Sequence, residues 1–269
     1  MSAWRARVAT VPELHGIYAV WKRELLVYIR EKERVIGSFV SPLLWLFVFG
    51  SGLGAGMYAG AGTAASSGAN GYQAFIFPGI LTMSVLFVSM FYGLYIIWDR
   101  KLDFLKEVLV APVSRSSIFL GKVSGGMTDS LIQGLIILVI GAFFIVPISP
   151  VQFIGTLLVL ALLTFFTTSL GLIIGANLSS QEGFALVMNF VMWPMFFFSG
   201  ALFPVSQLPA YFEPISLANP VTYAVDALRT VILGQSIFPF YLDIAILLVF
   251  SFLAAIIGVI SFGHLQQAR

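Results

Sequence analysis

KLDFLKEVLVAPVSRSS, residues 101–117, is a charged and hydroxyl-bearing island between two oily runs. Upstream, residues 75–97 carry no charged side chain; downstream, residues 123–146 carry a single one, Asp129. Each run is long enough to cross a hydrocarbon core, which takes about 20 residues at 1.5 Å rise. Within the island, Leu102, Leu105 and Leu109 fall on one helical face with Phe104 and Val108 beside it, whereas Lys106 and Glu107 point elsewhere. Pro112 ends this helix at about Ala111. The segment is too short and too charged to cross, so it is read as an amphipathic helix held at one side of a membrane between two spans.

The rest of the chain agrees. Of its 269 residues 59% are apolar and 10% charged, against about 25% charged in a soluble domain. Lipid offers no hydrogen-bond partners, and the uninterrupted Leu/Ile/Val/Phe runs lack the period-2 alternation of barrel strands, so the spans are helices and the fold class is all-α. Six spans are expected, at roughly 35–58, 75–97, 122–146, 151–177, 183–203 and 241–263. This divides the chain into an N-terminal segment, 1–34, and a transmembrane domain, 35–269. There is no cysteine, which excludes disulfides, thiolate metal sites and Cys nucleophiles. The first residues, MSAWRARVATVPELHG, lead into no short apolar region with a cleavage site, so the first span is expected to act as its own insertion signal.

Charge sets the orientation. Of the 14 Lys and Arg, seven precede the first span (Arg5, Arg7, Lys22, Arg23, Arg30, Lys32, Arg34) and five lie between Arg100 and Lys122. Connectors 59–74 and 147–150 have none. Positive residues stay inside, which makes both termini and the 98–122 connector cytoplasmic in a multi-pass protein of the inner (plasma) membrane.

Before the first span, Leu14, Ile17, Tyr18, Trp21, Leu25, Tyr28 and Ile29 recur at three- and four-residue steps, with Lys22, Arg23, Arg30 and Glu31 off that stripe. The pattern predicts an amphipathic helix, lying along the inner leaflet or packed on a partner. Connector 204–240 is long and apolar, but Pro204, Pro209, Pro214, Pro220 and Pro239 cut it into pieces too short to span, so it is expected to dip into the outer leaflet without crossing. Asn219 before Pro220 is a helix start and Gly234 a stop, which predicts one short helix over 220–233.

Catalytic chemistry is hard to find. SIFLGKV, residues 117–123, holds the Gly-Lys of a phosphate loop, but Ser116 stands where its first Gly belongs and Val123 where Ser or Thr should hold magnesium. His15 and His264 sit at opposite ends of the chain with no metal or triad spacing around them. Asn177-Leu178-Ser179 matches a glycosylation triplet on the wrong side of the membrane, and Ser179 with Glu182 reads as a capping box opening the fifth span. Gly171 and Gly175 in the fourth span, and Gly52, Gly56 and Gly60 at the end of the first, have the spacing of close helix packing.

Polar residues inside spans are the sharper candidates. An unpaired carboxylate at the bilayer centre costs about 2.5–3.5 kcal/mol or more, so Asp129, with Gln133 one turn on, either makes a structural hydrogen bond or lines a translocation path. Asn189 and Pro194 mark a kinked fifth span. Phe-rich stretches such as 195–198 suit an amphipathic or lipidic cargo, though lipid-facing Phe is the blander reading.

WDRKLDFLKEVLVAPVSRSSIFLGK, residues 98–122, resembles the cytoplasmic connector of ABC-2 type permeases, in the branch with drug-resistance permeases and the nodulation exporter permease NodJ. That branch commonly reads FLKE, two apolar residues, VAP and VSR, then LGK; the matches here are Phe104 to Glu107, Val110 to Pro112, Val113 to Arg115 and Leu120 to Lys122, with Asp103 in place of the usual Gly. A second family segment, NPVTYAVDALR (219–229), falls in the outer connector.

The resemblance implies a transport subunit without its own nucleotide site. Two permease copies would form the pathway, and two separate ATPase subunits, carrying ATP and Mg, would dock on the connectors. Phe104, Leu105, Lys106, Glu107, Pro112 and Arg115 would be the coupling residues. Asp129, Gln133, Asn189, Asn219, Pro220, Tyr223, Asp226 and Arg229 would be pathway or outer-gate candidates, and the cargo would be drug-like, lipidic or lipo-oligosaccharide. No cofactor on this chain, no metal site and no nucleic-acid partner are expected; lipid is. Asp226 and Arg229, three apart on one face of the short outer helix, are expected to brace the outer gate as a pair, so that exchanging them would restore part of what Arg229→Ala loses. The rivals are an ion- or proton-coupled secondary transporter, which calls for intramembrane ionisable pairs or an inverted repeat, and a non-transporting membrane scaffold.

Overall fold

The computed structural model of the chain describes residues 13–50, 69–102, 113–205, 209 and 211–264. Every regular element among them is helical. Helix α1 (Glu13–Arg30) is followed, after Glu31, by α2 (Lys32–Leu44), which runs on as a π-helical turn, Trp45–Phe49. Helix α3 (Ala69–Phe91) breaks at Tyr92 and Gly93 and resumes as α4 (Leu94–Lys101). Then come α5 (Arg115–Phe144), α6 (Pro150–Asn177), α7 (Gln181–Phe197), the short α8 (Glu213–Ala218), α9 (Pro220–Leu233) and α10 (Phe240–His264).

Among the described residues four helices are long and apolar enough to cross a membrane: Gly71–Lys101, Arg115–Phe144, Pro150–Asn177 and Phe240–Gly263. The other two expected spans are shorter as described. The first runs into residues 51–58, outside the described residues, as do Gly52, Gly56 and Gly60. The fifth ends at Phe197, not near 203: Pro194 removes one backbone donor, and at Gly200 the chain takes a left-handed φ of 75° that no helix continues through.

Local chemistry sets the remaining boundaries. The Ser114 side chain accepts from Ser117 N–H, so the helix of the third expected span begins at Arg115, about two turns earlier than its apolar run. The fifth is capped one residue later than expected: Ser180, not Ser179, accepts from Gly183 N–H at 3.0 Å. The capping box belongs instead to α6, where Ser149 and Gln152 exchange bonds between side chain and backbone. Helix α9 has its expected bounds; Asn219 Oδ1 accepts from Val221 N–H at 3.0 Å, Pro220 is the first helical residue, and Gly234 closes the helix at φ 69°.

Helices α3, α5, α6 and α10 pack together, with α9 filling the gap between α3, α6 and α10. Gly171 and Gly175 lie directly against the backbone of Met90 and Gly93, where a methyl group would collide with main chain. The glycine spacing in the fourth span therefore serves close packing, and it seats the break in the second. Helix α10 turns Leu248, Phe252, Ile256 and Ile260 outward, a face suited to hydrocarbon.

Helix α1 lies along the first half of α5 by only part of the stripe the sequence shows, Trp21 and Tyr28 among it. Leu14, Tyr18 and Ile29 face outward, Leu14 being 77% exposed, whereas Gly16 and Glu24 are buried with Tyr28. Gly121 and Gly125 of α5 let the helix in, meeting Val20 and Glu24, and Trp21 Nε1 donates to Thr128 Oγ1 at 2.9 Å. Contact without side chains at these glycines beats the wider apolar stripe, the rest of which is left for another surface.

Candidate functional site

The two ends of the 98–122 connector meet on α1. Asp99 lies in the last turn of α4 and Lys122 two turns into α5. Lys122 Nζ donates to Asp99 Oδ2 at 2.5 Å and to Glu24 Oε1 at 3.0 Å. Arg23 donates to the same two carboxylates, to Glu24 Oε1 at 2.7 Å and to Asp99 Oδ1 at 2.9 Å. Among the described residues, two cations and two anions thus form a quartet of zero net charge. Three of its side chains are nearly sealed, at 3% (Glu24), 6% (Asp99) and 1% (Lys122) exposure, while Arg23 at 34% forms the edge. Burial alone would lower the basicity of Arg23; hydrogen bonding to Asp99 and the charges of Glu24 and Asp99 outweigh it and raise the group above its ordinary value. Beside the quartet, Arg100 donates to Ala176 O at 2.8 Å and Leu178 O at 3.1 Å, capping the C-terminal carbonyls of α6. Tyr95 of α4 donates to Glu31 at 2.5 Å, adding a tie to the junction of α1 and α2.

Of the expected coupling residues, Phe104, Leu105, Lys106, Glu107 and Pro112 lie outside the described residues. Arg115 is the first residue of α5, on its first turn, half-buried.

Deeper in the bundle, Asp129 and Gln133 are both buried on α5. The partner of Gln133 is created by a proline. Pro42 has no N–H to give the carbonyl four residues back, Ser38 O, and Gln133 Nε2 donates to that oxygen at 2.9 Å while Ser38 Oγ donates to Gln133 Oε1 at 2.5 Å. Asn189 is not part of this group: it is exposed on α7, bonding Ala185 O and accepting from Trp193 Nε1.

At the opposite end, the remaining candidates share α9. Asn219 both caps the helix and donates to Met195 O at 2.6 Å. Pro220 is buried, and Tyr223 donates to Leu217 O at 2.8 Å with its ring on Phe238. Asp226 and Arg229 are both buried, but no hydrogen bond or ion pair joins them, which corrects the expectation of a pair. Asp226 accepts from Ile237 N–H at 3.0 Å and Phe238 N–H at 2.8 Å; Arg229 donates to Gly200 O at 2.9 Å and lies over the Phe75 ring, 4.2 Å from its centre. Inside protein, backbone groups that need partners compete successfully with a charge one turn away.

The match to the ABC-2 type transporter family covers residues 15–233, from α1 through α9. The chain belongs to that family. It is 30% identical over 236 residues to nodulation protein J of Rhizobium meliloti strain 1021, covering 86% of this chain and 87% of that one. It is 26% identical over 242 residues to the inner membrane transport permease YadH of Escherichia coli K12, covering 87% of this chain and 90% of that one. As an ABC-2 permease, a membrane transport protein, it carries its family connector between Asp99 and Lys122, the two residues that the quartet joins.

The sequence reading missed the quartet and Arg100. Lys122, Arg23 and Arg100 entered it as topology-fixing charges, with Lys122 also in the LGK motif and Arg23 off the apolar stripe of the first helix, but never as partners, and Glu24 did not enter at all. One signal was available: the connector is bounded by residues of opposite charge, Asp99 and Lys122, each next to an apolar run too long to leave it in water. Asp243, fully buried on the first turn of α10, was missed for the same reason that it is tolerated there, its place at a helix N-terminus.

Proposed function

We propose that this chain is the transmembrane permease subunit of an ATP-driven exporter of the inner membrane. Two copies form the pathway, and two separate ATPase subunits, holding ATP and Mg, bind the cytoplasmic connectors. The chain crosses six times with both termini inside, α1 lies along the inner leaflet with Leu14, Tyr18 and Ile29 toward lipid, and α8 and α9 sit at outer-leaflet depth. The cargo is amphipathic: drug-like, lipidic or lipo-oligosaccharide.

The quartet is the observation that carries this reading. A push on the connector from an ATPase reaches Asp99 and Lys122 at its two ends, and these are tied to each other and to α1, while Arg100 passes the same displacement to the end of α6. The connector is therefore coupled to three helices at once. The similarity to relatives that include an inner membrane transport permease supports the same assignment.

Glu107→Lys tests it. Reversing a charge on the connector face should leave insertion and melting unchanged and abolish both ATPase copurification and transport-linked ATP hydrolysis. Wild-type levels of both would remove the docking assignment. Topology is checked separately: the chain has no native cysteine, so single cysteines at Ser66 and Ser116 should react with a membrane-impermeant thiol reagent from opposite sides of the cell, and labelling of both from outside would eliminate the six-span arrangement.

A further inference from the structure

Between α2, α3 and α5 lies a cavity of about 200 Å³ whose wall includes Ser38, Ser41, Ser84, Phe87, Phe91 and Gln133. It sits between apolar helices and its lining is mostly apolar, with the three serines and Gln133 as its polar groups. Gln133 spends one amide hydrogen on Ser38 O and one lone pair on Ser38 Oγ, which leaves one donor and one acceptor. Ser84 donates to Leu81 O and keeps its lone pairs; Ser41 stands exposed at the mouth. Among the described residues no ionisable side chain lines the cavity, so a charged group entering it would lose hydration without a counter-charge from them. Phe87 and Phe91 also line it and continue as an aromatic wall, Phe87 against Trp193 at 5.0 Å and Phe91 against Phe184 at 6.2 Å.

Size limits the occupant. A cavity of about 150 Å³ takes a benzene molecule, and whole drug-sized ligands need about 300 Å³ or more. This one holds a head group and not a whole molecule. We infer that the cavity is a binding site for the uncharged, hydroxyl- or amide-bearing head of a membrane amphiphile, whose apolar tail lies along Phe87 and Phe91. The inference deepens the permease reading, and rests on it, by naming the chemistry of a group that this subunit selects from the bilayer.

The full-length chain with Ser41→Cys, in phosphatidylcholine vesicles, supplies the measurement: the rate of labelling by N-ethylmaleimide with and without 1-decanoylglycerol. Saturating 1-decanoylglycerol is expected to slow labelling about tenfold, as for a probe held at about ten times its Kd. Decanoate, decyltrimethylammonium and free glycerol at the same concentration should leave the rate within the scatter of the probe-free sample. Ser84→Val, which puts two methyl groups on the cavity wall in place of a hydroxyl, and Gln133→Leu, which removes its amide, should each abolish the protection. If Gln133→Leu does not fold, Ser84→Val with the parent's melting midpoint decides alone. The site is overturned by no protection, by equal protection from the charged amphiphiles, by equal protection of a cysteine at the lipid-facing Leu248, or by protection that survives Ser84→Val. Free glycerol protecting as well as 1-decanoylglycerol would overturn the amphiphile as occupant. A rate already blocked without probe, and dependent on protein density in the vesicle, would place a second copy over the mouth and also overturn it. No ATPase is needed here, so these outcomes are distinguishable from failure of the permease reading, which the Glu107→Lys variant tests.

Discussion

Lys122→Met is expected to destabilise the detergent-solubilised protein by about 3–5 kcal/mol, the cost of leaving a buried charge without its partner. Lys122 is bonded to both carboxylates of the quartet, so its loss leaves Glu24 and Asp99 facing each other with only the half-exposed Arg23 to balance them. Adding Glu24→Gln makes the site neutral again, with Arg23 opposite Asp99, and should recover most of the loss. Thermal unfolding of the two variants beside the parent measures both effects. A single variant that melts with the parent, or a double variant that melts below the single one, would show that charge balance is not what holds α1 to the connector ends.

Asp226→Ala is expected to cost about 1–3 kcal/mol, because it strands the N–H groups of Ile237 and Phe238 in the turn between α9 and α10. Asp226→Asn keeps an acceptor and should lose much less. The exchange of Asp226 and Arg229 should be worse than either single substitution: it puts a donor where two backbone donors already point and removes the cation from Gly200 O and the Phe75 ring. Hydrogen exchange at Ile237 and Phe238, with the melting midpoint, separates the alternatives. Recovery in the exchanged protein would restore the idea of a mutual pair.

These two ends of the molecule also show what could be read from the sequence. Helix α9 was legible to the residue because its start and stop are short-range chemistry: an Asn side chain, a proline and a glycine act within two or three residues of where they stand. The long spans were legible because solvent alone dictates them. The fine boundaries were not, since Ser179 and Ser180 offer equivalent caps and only one geometry is taken up. For Asp226 and Arg229 the spacing rule named the right residues and the wrong partners, because it holds for exposed helices and these side chains are buried among unsatisfied backbone groups. The quartet was illegible for a different reason. Its members come from α1, α4 and α5, 98 positions separating Glu24 from Lys122, and no periodicity links such residues. The bond between Gln133 and Ser38 stands between these cases: Pro42 announces a free carbonyl four residues earlier, but nothing local says what will claim it.

The neutrality of the quartet has an electrical consequence. A full charge carried across the membrane exchanges about 2.3 kcal/mol per 100 mV with the transmembrane voltage. Arg23, Glu24, Asp99 and Lys122 sum to zero and are bonded into one unit, so when α1 and the neighbouring helix ends shift together, the field does no net work on them. On the proposed coupling, a fully polarised membrane and a collapsed one would oppose the displacement of these four groups equally.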